Sequence, residues 1–242
     1  MKVPRPVVRL VARVKPRVPD RAWGVLNTLR SFTGDGPVVG TPTFRRVLAV
    51  AAHPDDETVG CGGLLALLAD AGAEVHVCIA TDGEATIGAD LPADEVARRR
   101  RREAELACAV LGTRPPRFLG LPDGRVADHL DELRGTLRAL VEELEPDAVI
   151  VPWELDGHPD HQAVHQAVPA GVEVWGYETW TPLPPTWVVD VTSVYERKQR
   201  ALACYETAHL AFDVAAMLAL DRYRSVHGLM GRGYAEAYFV RR

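Results

Sequence analysis

Val47-Leu48-Ala49-Val50-Ala51-Ala52-His53-Pro54-Asp55-Asp56-Glu57-Thr58-Val59-Gly60-Cys61-Gly62-Gly63 decides how the rest of the chain is read. Its first six residues are apolar and follow Arg45 and Arg46, the pattern of a strand buried on both faces. The strand ends in a histidine, a proline and three acidic residues. Gly60, Gly62 and Gly63 then let the backbone pass close to its neighbours, and Leu64-Leu65-Ala66-Leu67-Leu68 runs on as a helix. Open α/β sheets bind ligands beyond the carboxyl ends of their strands, which puts chemistry at residues 53–57.

His53, Asp55 and Asp56 all carry metal-binding groups. Neighbouring residues of one turn do not readily aim the same way. The economical arrangement therefore takes His53 and Asp56 as ligands and leaves Asp55 beside the ion as a free carboxylate. A catalytic zinc takes three protein ligands and keeps one position for water, so a ligand is still missing. Asp156-Gly157-His158-Pro159-Asp160-His161 offers it, after a second apolar run, Ala148-Val149-Ile150-Val151.

Two clusters with a shared His-Pro-Asp core, each closing a predicted strand, resemble the signature of the PIG-L/LmbE-like metal-dependent de-N-acetylases. The resemblance covers roughly residues 45–240 in motif order. It implies a hydrolase that removes the acetyl group from an N-acetylglucosamine-type amino sugar or glycoconjugate. It implies that His53, Asp56 and His161 hold one divalent ion, zinc, with iron(II) fitting the same donors, and that Asp55 is the general base. The role of Asp55 also follows from its chemistry, since a carboxylate beside metal-activated water can take its proton. His158, one helical turn before His161, can face the same cavity. Protonated, it would stabilise an oxyanion or protonate the leaving amine, with Asp160 placed to orient it. The family's Arg-x-x-Glu matches Arg100 and Glu103, with the arginine reaching substrate, and its acidic loop residue near sugar hydroxyls matches Asp123. Some relatives carry a tyrosine where Asp156 stands, which moves oxyanion help to His158 and the ion, or to another tyrosine such as Tyr177.

Two other readings use the same residues. Two histidines and a carboxylate also make the facial triad of iron(II) oxygenases, although Asp55 has no task there. A non-catalytic carbohydrate-binding relative would keep the ion, but intact Asp55 and His158 argue against it. His165 reads as solvent-exposed, and His76, His129, His209 and His227 as surface or core residues.

A chain of 242 residues, 47% hydrophobic, can bury one large core. Four cysteines, Cys61, Cys78, Cys108 and Cys204, are spaced too widely for a structural zinc pattern and read as buried thiols of a cytoplasmic protein. No segment approaches the roughly 20 apolar residues of a spanning helix. Residues 1–45 differ: the first 21 carry seven basic residues against Asp20, a net +6 that leaves −11 for the rest. They read as an extension and linker, with Trp23 to Leu29 as a short helix and Thr33 to Pro42 as linker. The extension either docks loosely on the body or makes peripheral contact with an anionic membrane or acidic partner. Arg98 to Arg102 reads as a solvated helix face paired with nearby glutamates; an acidic body without interleaved aromatics argues against nucleic acid.

Residues 46–242 alternate as one domain. Strands are predicted at 47–52, 74–80, 117–119, 147–152, 172–177, 186–191 and 234–240. Helices are predicted at 57–71, 93–111, 128–144, 159–168, 193–206 and 214–227. This order implies a Rossmann-like, doubly wound, mainly parallel sheet with helices on both faces.

Overall fold

The computed structural model describes residues 36–241 apart from Ile87, Ala89 and Phe212. The basic residues 1–21 and the helix expected at Trp23 to Leu29 lie outside the described residues.

Strands β1 (Val38–Val39), β2 (Arg46–Ala51), β3 (Glu74–Thr81), β4 (Arg117–Leu121), β5 (Ala148–Pro152), β6 (Glu173–Tyr177), β7 (Trp187–Asp190) and β8 (Ala235–Arg241) form one sheet. Their order is β1-β7-β8-β6-β5-β2-β3-β4, with every neighbour parallel except β8, which runs antiparallel to β6 and β7. Helices α1 (Asp56–Asp70), α2 (Ala93–Leu111), α3 (Leu130–Leu144), α4 (Pro159–Ala167), α5 (Tyr195–Leu202) and α6 (Val214–Arg224) cover it.

The strand periodicity sorts the helices. Val47, Ala49 and Ala51 point to one face and join a core built from α1, α2 and α5. Leu48, Val50 and Ala52 point to the other and meet Leu133, Leu137, Ala163 and Val164 of α3 and α4. A strand buried on both sides cannot alternate apolar with polar residues, which is why β2 reads as an unbroken apolar run.

The chain winds outward from β2 through β3 to β4, then returns to the other side of β2 at β5. Val47, Leu48 and Ala49 pair with Ala148, Val149 and Ile150. Where the winding reverses, the loops after β2 and β5 turn to opposite faces and leave a crevice at the strands' carboxyl ends. Two clusters about a hundred residues apart in sequence therefore open side by side.

One expectation is corrected. The linker expected at 33–42 contains β1, which adds an edge strand to β7: Val38 N donates to Thr186 O at 3.0 Å and Gly40 N to Val188 O at 3.0 Å. Trp187 Nε1 donates to Gly40 O at 2.7 Å, so a half-buried indole secures this segment to the sheet.

Candidate metal centre

The loop after β2 is a tight turn into α1. Asp55 sits there with φ 116° and ψ −30°, a backbone region that side chains disfavour. This twist solves the problem of three consecutive acids, because Asp55 and Asp56 point in different directions. Asp56 folds back so that its Oδ2 accepts the His53 backbone N–H at 2.8 Å. The same oxygen lies 3.2 Å from His53 Nδ1 and 3.2 Å from His161 Nε2. His161 arrives from the first turn of α4, whose Pro159 fits the helix start and whose His158 occupies the N-cap.

Close packing of α1 fixes these positions. A Cβ at Gly60 would stand 2.0 Å from Tyr177 Cδ2 and 2.8 Å from Glu178 O, and one at Gly63 would stand 2.6 Å from Val191 Cγ1. Only glycine lets the helix approach β6 so closely.

The donors fit a cation. His161 is fully buried and its Nδ1 faces Asp156 Oδ1 at 3.0 Å, which places a proton on Nδ1. Its Nε2 then has no hydrogen-bond partner among the described residues. A lone pair facing a carboxylate oxygen at 3.2 Å needs a positive charge between them, a proton or a metal ion. Donors about 2.0–2.1 Å from a tetrahedral ion stand roughly 3.3 Å apart, close to these separations. Ring nitrogens of His53, His158 and His161 also lie within 4.8 Å of one another, as do donors of His53, Asp123 and Asp160. The titration behaviour agrees. Burial opposes a charged His161, but the charge of Asp56 and the hydrogen bond to Asp156 lift its pKa to about 9. Burial likewise opposes a charged His53, which hydrogen bonds to Asp123, Asp160 and Asp56 raise well above the ordinary value. Asp56 resists its own burial because both imidazoles hold it ionised.

Asp55 stays apart from this pair. Its Oδ2 accepts from Arg100 Nη2 at 2.9 Å, and burial, opposed by Arg100 and assisted by Asp56 and Glu57, raises its pKa to about 7. Arg100 is itself buried, and its guanidinium also donates to Pro54 O and Thr86 Oγ1. The arginine expected to reach substrate is thus occupied by the turn. The rest of the run behaves as a solvated face, with Arg98 on Asp94 and Glu95, Arg99 on Glu95, and Arg102 on Glu105.

Several other expectations change. His158, expected to act protonated, instead has its pKa lowered by burial and by the neighbouring His53 and His161. Its Nδ1 accepts the Asp160 backbone N–H at 3.2 Å, so the neutral ring keeps its proton on Nε2 as a donor. The Asp160 carboxylate does not orient His158; it accepts from Gly124 N at 2.7 Å and Val126 N at 3.0 Å and faces His53 Nε2 at 3.3 Å. Asp123 meets His53 Nε2 at 3.1 Å and accepts from Ala85 N at 3.0 Å. Tyr177 is fully buried, with its hydroxyl on Val50 O at 3.1 Å, and has no access to the crevice. His165, read as exposed, is buried against Pro152 O at 2.8 Å. Cys61, Cys78 and Cys108 are buried free thiols, whereas Cys204 is half-exposed.

Asp156 opens the second His-Pro-Asp cluster, where some relatives carry a tyrosine, and nothing in the sequence assigns it a role of its own. It is fully buried and accepts from His161 Nδ1, His158 N, Thr179 Oγ1, Trp180 N and Thr181 N. The one signal for it was its spacing, five residues before His161.

A doubly wound α/β domain that gathers imidazoles and carboxylates around a cation position at its switch point defines the class. The PIG-L family profile, described as GlcNAc-PI de-N-acetylase, matches residues 48–172, and the chain belongs to this family. It is 32% identical over 202 residues to the 1D-myo-inositol 2-acetamido-2-deoxy-alpha-D-glucopyranoside deacetylase of Mycobacterium sp. (strain JLS), covering 70% of this chain and 65% of the relative. Identity to the protein of the same description from Rhodococcus jostii (strain RHA1) is 35%, over 63% of this chain and 64% of the relative. The chain thus spans just under two thirds of these relatives' length. The N,N'-diacetylchitobiose deacetylase of Pyrococcus horikoshii shares the fold, with a TM-score of 0.67 and 23% identity, covering 82% of this chain and 84% of that one. Among the described residues no helix is long and apolar enough to cross a membrane.

Proposed function

We propose that this protein is a zinc-dependent hydrolase that removes the N-acetyl group from an N-acetylglucosamine-type amino sugar or glycoconjugate. The observation that carries the proposal is the convergence of His53, Asp56 and His161 beside a separate carboxylate, Asp55, at the β2/β5 crevice. Family membership and the relatives' deacetylase descriptions support it.

His53, Asp56 and His161 would hold the ion, which when bound would acidify water and polarise an amide carbonyl. Asp55 would take the water proton on Oδ1, since Oδ2 is held by Arg100. His158 Nε2–H would donate to the oxygen that gains charge as the carbonyl carbon becomes tetrahedral. Asp55 would return the proton to the amide nitrogen as the C–N bond breaks. One water and one amide become acetate and a protonated amine.

Acetate release from a panel of N-acetylglucosaminides differing at the anomeric position, with and without chelator, tests this. Chelator-sensitive release supports it. Oxygen-dependent turnover with iron(II), or sugar binding without release from any member, would overturn it.

A further inference from the structure

Arg100 and Glu103 lie one turn apart on α2 and grip opposite ends of a buried hydrogen-bond circuit around Asp55. Arg100 holds Pro54 O, Asp55 Oδ2 and Thr86 Oγ1. Glu103 accepts from Thr207 N at 3.1 Å and from Thr207 Oγ1 at 2.5 Å, which fixes the turn carrying Tyr205. Tyr205 is fully buried and donates its hydroxyl to Glu57 Oε1 at 2.5 Å. Thr58 Oγ1 donates to the same oxygen at 2.6 Å. Glu57 is fully buried, and its other oxygen accepts the Asp55 backbone N–H at 3.2 Å. The circuit thus closes on the residue with φ 116°.

A side chain held at that φ needs contacts on both its amide and its carboxylate, because the backbone alone would relax. Here Glu57 holds the amide and Arg100 the carboxylate. Burying Glu57 costs desolvation that its hydrogen bonds must offset. None of the groups that satisfy it points into the crevice: Tyr205, Thr58 and Asp55 N account for both its oxygens. We propose that Glu57, Tyr205 and Arg100 are positioning residues that hold Asp55 in its strained turn, clear of the metal donors and facing the reacting water. The proposal rests on Asp55 being the general base. Arg100 then serves the base, and the Arg-x-x-Glu spacing on α2 exists because the two ends of the circuit lie one helical turn apart.

The experiment compares Tyr205→Phe, Glu57→Gln, Glu57→Ala and Asp55→Asn in zinc-loaded full-length protein, using the N-acetylglucosaminide hydrolysed fastest in the panel. Zinc content and melting temperature are measured alongside. Misplacing a base should lower kcat while leaving KM unchanged. Tyr205→Phe is expected to lose about tenfold in kcat, and Glu57→Ala about a hundredfold or more, with KM within about twofold and zinc retained. Glu57→Gln should recover most of the Glu57→Ala loss, because its amide oxygen can still accept from Asp55 N. If Glu57→Ala fails to fold, Tyr205→Phe and Glu57→Gln carry the test. Wild-type kcat in Tyr205→Phe together with no Gln-over-Ala recovery, or a change confined to KM, overturns the inference while Asp55→Asn remains inactive. Full activity in Asp55→Asn would instead overturn the reading of the base itself.

Discussion

Asp156→Asn separates support of the metal ligands from simple stability. Five donors converge on this carboxylate, His161 Nδ1 and His158 N on Oδ1 at 3.0 Å each, and Thr179 Oγ1, Trp180 N and Thr181 N on Oδ2 at 3.0–3.1 Å. An asparagine must turn its amide NH2 toward one group or the other. With the NH2 toward the histidines, His158 N loses its acceptor while His161 Nδ1 keeps Thr179 Oγ1 at 2.9 Å; with the NH2 toward the other side, Trp180 N and Thr181 N both lose theirs. A buried donor left unsatisfied costs about 1–3 kcal/mol, so at least that much stability is at stake. At about 2–4 °C per kcal/mol, the metal-free protein should melt at least about 2 °C lower. The effect on metal is distinct: losing the anion behind a ligating histidine costs about 10–100-fold in affinity, or roughly 1.4–2.8 kcal/mol. Zinc competition titration against a chelator of known affinity, run below the melting point, measures it. Thr179→Val, which deletes one donor and leaves the carboxylate, should bind zinc within about threefold of wild type. A folded Asp156→Asn protein with wild-type zinc affinity would refute the reasoning.

Asp55→Asn should retain zinc and lose about 10²–10⁴ in kcat, read by acetate release; wild-type turnover would remove the base. Gly60→Ala should lower stability by about 1–3 kcal/mol in a denaturant melt, because its Cβ would stand 2.0 Å from Tyr177 Cδ2 and 2.8 Å from Glu178 O. Gly135→Ala in α3, with nothing within 4 Å of the new Cβ, should stabilise by about 0.5–1 kcal/mol. Asp221 faces Lys198 at 2.7 Å, with Glu236, Glu178 and Tyr195 nearby. Burial raises its pKa to about 7 against the pull of Lys198, with Glu236 adding to the rise. The folded state therefore holds a proton that the unfolded state releases near pH 4, and stability falls as pH rises from about 4 to 7. Asp221→Asn should flatten that part of the melting-temperature profile, and an unchanged slope would count against it. Deleting residues 1–21 separates the two readings of the extension: liposome binding at low salt that is lost with them supports contact with an anionic membrane, and unchanged binding ends that reading.

The sheet was legible because buried parallel strands announce themselves as apolar runs, and β2, β3 and β5 lie within a residue or two of their expected bounds. The pairing of the two clusters was legible because each His-Pro-Asp follows such a run. What the sequence hid are groups whose work depends on burial. Arg100 sits in a run of five arginines, and only its rotation on α2, toward Gly83 and Asp55, sets it apart from its solvated neighbours. His165 follows His161 by one turn, yet the helix packs that side onto the end of β5. Asp156 could not be distinguished from a loop residue until the segment Thr179 to Thr181 closed over it. Val38–Val39 is too short for any periodicity, and its place in the sheet comes from β7.

Metal stoichiometry across single variants tests the central claim most directly. Protein loaded with zinc and freed of excess should carry one ion per chain in wild type and in Asp55→Asn, and much less in His53→Ala, Asp56→Ala and His161→Ala. An Asp55→Asn protein that loses the ion while Asp56→Ala keeps it would contradict the account.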